Sequence, residues 1–241
     1  MSNSFEKYGD ILFDAFRDNL KAHEIVAKKK EILDEIIEHY DRPISEILFV
    51  GFNPGILGYS DLPIYIAEVG AEAQQYLSES KINFKVVDLT KPKPNKFSVI
   101  VAFDEYFTFA SSDQEQKDKV DRLCGLCDSF IVTTLKDYKN QDFKDKEFSQ
   151  PILVKNVDSK RIYFEHYELS SLDRNASLGT NYVIADDDVS IVGPFARRNM
   201  FFKQLAKFSL DAGAKNFLVH KNLMYKSIIK KNYEHIITIK F

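Results

Sequence analysis

Cysteine is scarce in this sequence. Only Cys124 and Cys127 occur, in Cys-Gly-Leu-Cys. A structural zinc site takes four ligands, and no second cysteine pair exists to complete one. Both are read as ordinary reduced thiols. Long apolar runs are also missing: none reaches the roughly 18 residues that a membrane span needs. The first residues, Met-Ser-Asn-Ser-Phe-Glu-Lys, carry no basic segment followed by an apolar one, so no secretory signal is read. Repeats and low-complexity tracts are absent. The expectation is a cytoplasmic globular chain with no membrane partner and no bound metal. Its 241 residues suffice for one large domain or one domain with an insertion.

What is present is apolar content of 44%, enough for a sizeable core, and an uneven charge. The formal net charge is −3, yet Ser190 to Phe241 holds ten cations and two acids, net +8, leaving −11 on the first 189 residues. A basic terminal segment on an acidic body can mark a polyanion contact or a solvated face.

The chain is organised around Ile47-Leu-Phe-Val-Gly-Phe-Asn-Pro-Gly-Ile-Leu-Gly58. Four apolar residues suit a strand buried on both faces, and glycines at 51, 55 and 58 let the backbone turn and approach a ligand. Before it, residues 5 to 40 read as a helical leader stopped by Asp41-Arg-Pro. After it come strands at Pro63–Val69, Asn83–Leu89, Phe97–Phe103 and Ser129–Leu135. Helices are read at Ala71–Ser80 and Asp113–Leu126, and a polar loop at Lys91–Asn95. Acids Glu68, Asp88 and Asp104 stand at strand ends. This alternation predicts an α/β, mostly parallel, doubly wound sheet of about seven strands.

Residues 137 to 160 read as charged and irregular. Arg161–Leu169 and Asn181–Val192 look like strands, the latter broken by a turn at Asp186-Asp-Asp188. We read 140–194 as an inserted antiparallel element, with 1–43 as leader and 44–241 as the main domain. Pro194-Phe-Ala-Arg-Arg is read as opening a helix that runs to Leu210. Asn216–His220 and His235–Phe241 are read as a terminal strand pair.

This order of elements resembles the class I S-adenosylmethionine-dependent methyltransferases, a Rossmann-like fold, over residues 44–136 and 195–241. Gly51-Phe-Asn-Pro-Gly55 matches that family's Gly-x-Gly-x-Gly loop, with Asn53 at the central glycine and Phe49 where an acid usually stands. The resemblance implies S-adenosylmethionine as cofactor. Gly51, Phe52, Asn53 and Gly55 would hold its amino-acid half, and Glu68 with Val69 its ribose. Asp88 with Leu89 would meet its adenine, and Phe103 with Asp104 would lie near the methyl group. Gly-Phe-Asn-Pro-Gly is also similar, locally, to the loop of mismatch-type uracil-DNA glycosylases, but no His-Pro pair follows.

Methyl transfer needs a placed nucleophile and, where that is protonated, a base. Asp104 is the expected catalytic residue. Lys136 is similar to the lysine of RNA ribose methyltransferases. Tyr106 is a candidate substrate contact, as are Arg197 and Arg198 at the expected helix start, where backbone N–H groups favour phosphate. The acceptor is left open between RNA or DNA and a small molecule, and the oligomeric state is left open too. The other reading is a methyltransferase fold used for binding or assembly without catalysis.

Overall fold

A computed structural model describes residues 4–40, 44–59, 61–91, 96–136, 146–186, 188–229 and 233–241. The expected stop at Asp41-Arg-Pro, most of the loop at Lys91–Asn95, and residues 137–145 lie outside these. The leader is two helices, α1 (Ser4–Arg17) and α2 (Ala22–Glu38), where one was expected. The break falls at Asp18-Asn19: the Asn19 carboxamide accepts the Lys21 N–H at 2.9 Å, the local competition by which Asn leaves a helix. α1 buries Phe5, Tyr8, Leu12 and Phe16, one stripe at helical spacing. α2 buries Ile32, Leu33 and Ile36, and with them Lys29.

Next come β1 (Ile47–Val50), a 3-10 turn at Pro54–Gly58, β2 (Ile64–Ala67), α3 (Ala71–Glu79), β3 (Phe84–Val86), β4 (Phe97–Ala102), α4 (Asp113–Leu126) and β5 (Cys127–Leu135). α4 starts on Ser112, whose hydroxyl accepts the Glu115 N–H at 3.1 Å, while the Glu115 carboxylate accepts the Ser111 N–H at 2.7 Å. β1 and β4 are buried along their whole length, as expected for central parallel strands covered on both faces.

The chain then forms β6 (Lys146–Phe148), β7 (Ile152–Lys155), β8 (Lys160–Leu169), β9 (Ala176–Ala185) and β10 (Asp188–Arg198), followed by α5 (Phe202–Asp211), β11 (Asn216–Lys226) and β12 (Tyr233–Lys240). The main sheet has seven strands in the order β11-β12-β5-β4-β1-β2-β3. β3, β2, β1, β4 and β5 are parallel. β12 runs antiparallel to β5, and β11 antiparallel to β12. A second, antiparallel sheet runs β10-β9-β8-β6, with β7 also on β8. The mixed Rossmann-like architecture with an inserted antiparallel element is therefore what the molecule has.

Three local readings are corrected. β6 and β7 lie where irregular chain was expected. β9 begins at Ala176, earlier than Asn181. Pro194–Arg198 is strand, not the start of a helix, and α5 begins only at Phe202. There Phe195 and Arg197 are buried, with the less buried Ala196 between them. That is period two, and the pairing of Phe195 with Gly179 and Arg197 with Ser177 holds it. Among the described residues no helix is long and apolar enough to cross a membrane.

Candidate active site at the strand ends

β1, β2 and β4 are parallel neighbours, so their carboxyl ends open on one edge of the sheet, where ligands bind in open α/β folds. Gly51 follows β1 with φ +78°, and its N–H donates to the Ala67 carbonyl at 2.8 Å. A β-carbon there would collide with the Phe5 ring of α1. Only glycine serves at this position, on both conformation and space. Asn53 caps the 3-10 turn: its Oδ1 accepts the Gly55 N–H at 2.8 Å, while its buried Nδ2 has no partner among the described residues. Gly55 lies against Asn53 and the Lys29 stem.

Glu68 follows β2 with φ +55°. Its Oε1 accepts the Tyr106 hydroxyl at 3.4 Å, and its buried Oε2 has no partner among the described residues. Burial raises its carboxyl above the usual range, against the opposing pull of Lys119 and Arg122. Asp104 and Glu105 follow β4, both left-handed at φ +56° and +57°. Two successive non-glycine residues in that region are a strained turn. Asp104 is 3% exposed. Its Oδ2 accepts the Tyr225 hydroxyl at 2.7 Å, and its Oδ1 has no partner among the described residues.

A residue the sequence reading missed stands beside this pair. Lys29 is 5% exposed. Its Nζ donates to the Lys226 carbonyl at 2.5 Å and lies 3.3 Å from the Tyr225 ring centroid. Burial lowers its amine from 10.5 to about 8, though Asp104 and Glu234 pull the other way. Glu234, also missed, accepts the Thr134 hydroxyl at 2.5 Å. One signal for Lys29 was available: it lies four residues before Leu33 and seven before Ile36, on the apolar stripe of α2.

The structure thus brings Gly51, Asn53, Gly55, Glu68, Asp104 and Tyr106 to one edge. Phe52, Val69, Leu89 and Phe103 are buried core neighbours; Phe52 packs edge-on against Phe13 and Phe103 against Tyr225. Asp88 is exposed and closed on itself. Its carboxylate accepts the Thr90 hydroxyl and N–H, which with Lys91 hold it down to about 2.

Lys136 lies 3.2 Å from Glu105, which is fully buried. Arg197 turns inward, 2.7 Å from Glu165 and 4.0 Å from Glu105, with its guanidinium 4.1 Å from the Phe109 centroid. Gly179 makes the room, since a β-carbon there would meet Glu165 and Arg197. Arg198 is held by Asp113 and Asp173. Neither arginine stands at a helix start, so the phosphate site expected there is not formed by these two residues.

No family model matches the chain, and no curated protein matches its sequence. Solved structures do match its shape. DesVI of Streptomyces venezuelae superposes with a TM-score of 0.68 at 11% identity, over 96% of this chain and 98% of that one. An S-adenosylmethionine-dependent methyltransferase of Clostridium acetobutylicum ATCC 824 gives 0.65 at 10% identity, over 95% and 97%. CalS10 of Micromonospora echinaspora, an amino pentose methyltransferase solved with S-adenosylmethionine bound, gives 0.65 at 8% identity, over 89% and 91%. The chain has the class I methyltransferase fold. The likeness spans nearly the whole chain, second sheet included.

Proposed function

We propose that the chain is an S-adenosylmethionine-dependent methyltransferase whose acceptor is a small molecule presenting an N–H or O–H group. The observation that carries this is the set of three buried polar atoms without partners among the described residues, Asn53 Nδ2, Glu68 Oε2 and Asp104 Oδ1. They follow β1, β2 and β4 on the ligand-binding edge. A buried polar atom left unpaired costs about 1–3 kcal/mol, and a polar ligand at this edge relieves it. The donor set fits the cofactor: an amide N–H for a carboxylate, a carboxylate oxygen for a ribose hydroxyl, and a second carboxylate oxygen for an N–H or O–H. When bound, the group supplies an electrophilic methyl on a sulfonium.

The chain's own residues would do the rest. Asp104 Oδ2 is occupied by Tyr225, so Oδ1 alone orients the nucleophile and takes its hydrogen bond or proton. Lys29 supplies positive charge beside Asp104 and Glu234. Lys136 holds Glu105, which follows Asp104 in the strained turn. In this reading the leader, residues 1–43, is part of the site, because α1 and α2 both touch the glycine loop. A nucleic-acid acceptor loses its support, since Arg197 is buried and Arg198 is paired. A small-molecule acceptor agrees with the amino pentose that CalS10 methylates.

The non-catalytic binding reading is favoured by one observation, the Phe5 ring seated against Gly51. Calorimetry with S-adenosylmethionine and S-adenosylhomocysteine separates the two. The enzyme reading expects saturable binding that Glu68→Ala weakens by about 1–3 kcal/mol. Absence of binding at millimolar ligand would leave the binding-module reading.

A further inference from the structure

The second sheet reaches the strand ends through buried charge. Glu165 on β8, Arg197 on β10, Glu105 after β4 and Lys136 after β5 alternate in sign, and each is no more than 8% exposed. Arg197 lies 2.7 Å from Glu165 Oε1. Arg197 and Lys136 close on the same oxygen of Glu105, Oε2, at 4.0 and 3.2 Å. The Tyr167 ring has both cations 5.7 Å from its centroid, and its hydroxyl donates to Glu165 Oε2 at 2.5 Å. Buried ion pairs of this kind stabilise a fold little, since well-packed apolar side chains of the same volume do as well. Their use lies in what they fix.

What they fix is the turn at Asp104-Glu105. Both residues are left-handed, which non-glycine residues keep only where the surroundings over-determine it. The Glu105 N–H donates to the Thr134 hydroxyl at 3.3 Å, and its carbonyl accepts the Thr108 N–H and hydroxyl, each at 2.8 Å. Lys136 and Arg197 hold its side chain. One residue earlier, the same backbone sets Asp104 Oδ2 on the Tyr225 hydroxyl. A turn free to relax would swing both carboxylates.

We propose that Arg197 and Lys136 are positioning residues for Asp104. By clamping Glu105 they set the conformation of the turn, and with it the direction of the Asp104 carboxylate. The second sheet is then a working part of the site, because it supplies Arg197 and the Glu165 that seats it. The reaction this serves rests on the methyltransferase reading above; the clamp is a property of the chain alone. Arginine suits the place: a guanidinium presents donors on several sides, to Glu165 and to Glu105 together, and keeps its charge when buried. Lysine would keep the charge and lose the fork. Arg198 is the next residue of the same strand, but it pairs with Asp113 and Asp173 instead. It is a matched control.

The hydrogen bond from Tyr225 to Asp104 reports the turn. The test is carbon NMR of the full chain labelled at the tyrosine Cζ, with thermal melts to confirm that each variant is folded. Tyr225→Phe assigns the resonance, and Asp104→Asn shows how far it moves when the acceptor changes. Arg197→Met, Lys136→Met and Glu105→Gln should each move it in that same direction. Arg197→Lys should move it less than Arg197→Met, and Arg198→Met should leave it in place. A resonance that stays at its wild-type position in folded Arg197→Met overturns the clamp. Where that variant does not fold, the same result in Glu105→Gln does so. Arg198→Met moving it as far also overturns it, since the loss of any ion pair of the second sheet would then suffice. Calorimetry with S-adenosylhomocysteine keeps this apart from the reaction it serves. A wild type that does not bind removes the methyltransferase reading and leaves the NMR result standing. Where wild type binds, Arg197→Met should keep the affinity within about twofold, as independent sites do. A loss of about tenfold or more would couple Arg197 to the cofactor loop itself and overturn a role confined to the turn.

Discussion

Asp10 and Lys29 are two titrating side chains whose charge the fold opposes. The Asp10 carboxylate lies against Gly70, and burial, helped by Glu6, Asp14 and Glu72, raises it from 3.8 to about 6. The folded state therefore holds the proton more tightly than the unfolded one. The stability this contributes is complete below pH 3.8 and is lost as pH rises through about 6. Asp10→Asn should melt higher than wild type at pH 7.5 and equally at pH 3.5. Lys29 runs the other way in proton binding. Its folded amine releases its proton near 8 and its unfolded amine near 10.5, so stability should rise with pH between those values. The difference between wild type and Lys29→Met, measured as denaturation midpoint from pH 7 to 10.5, isolates that rise from the buried tyrosines. At Asp104 the prediction is functional. On the proposed function, Asp104→Asn removes the group that would accept the proton and should lower methyl transfer by about 10²-fold or more. Tyr225→Phe leaves Oδ2 without its donor and should cost less.

At the scale of elements, legibility followed sequence distance. β1, β4, α3 and α4 were readable almost to the residue, because each is set by its own apolar run or cap, whereas β3, read as Asn83–Leu89, is only Phe84–Val86. β10 was not readable. Pro194 followed by Arg197 and Arg198 has the look of a helix start. What makes it strand is the ladder to the preceding β9, together with the seat for Arg197 between Glu165 and Phe109, which lie further away in sequence. Lys29 was legible in part, as a lysine on an apolar stripe, but nothing local says that Tyr225 and Asp104 receive it. Gly179 offers a check on this account. Gly179→Ala would press on Glu165 and Arg197, and parting a buried ion pair costs about 3–5 kcal/mol. Chemical denaturation should show a loss in that direction, whereas Gly125→Ala, at a position with open space inside α4, should show none or a small gain.

The whole molecule was recognisable from the order of its strands, since a terminal antiparallel pair after five parallel strands is a property of the chain from end to end. What the order of strands does not contain is how the leader lies across it. Phe5 belongs to the first helix, Gly51 to the first strand's loop, and the ring of one rests on the backbone of the other. A buried phenylalanine stabilises a fold by several kcal/mol, and here that stabilisation lies at the loop proposed to hold the cofactor. If the cofactor binds at Gly51 as proposed and Phe5 has to move aside for it, affinity carries a conformational tax: the measured constant is the intrinsic one divided by the fraction of molecules in which Phe5 has moved. Stability and binding are set against each other at one side chain. Phe5→Ala should lower the melting temperature and tighten S-adenosylhomocysteine binding together, by a factor of about ten for each 1.4 kcal/mol of contact removed, and a calorimetric titration beside a thermal melt of the same variant reads both.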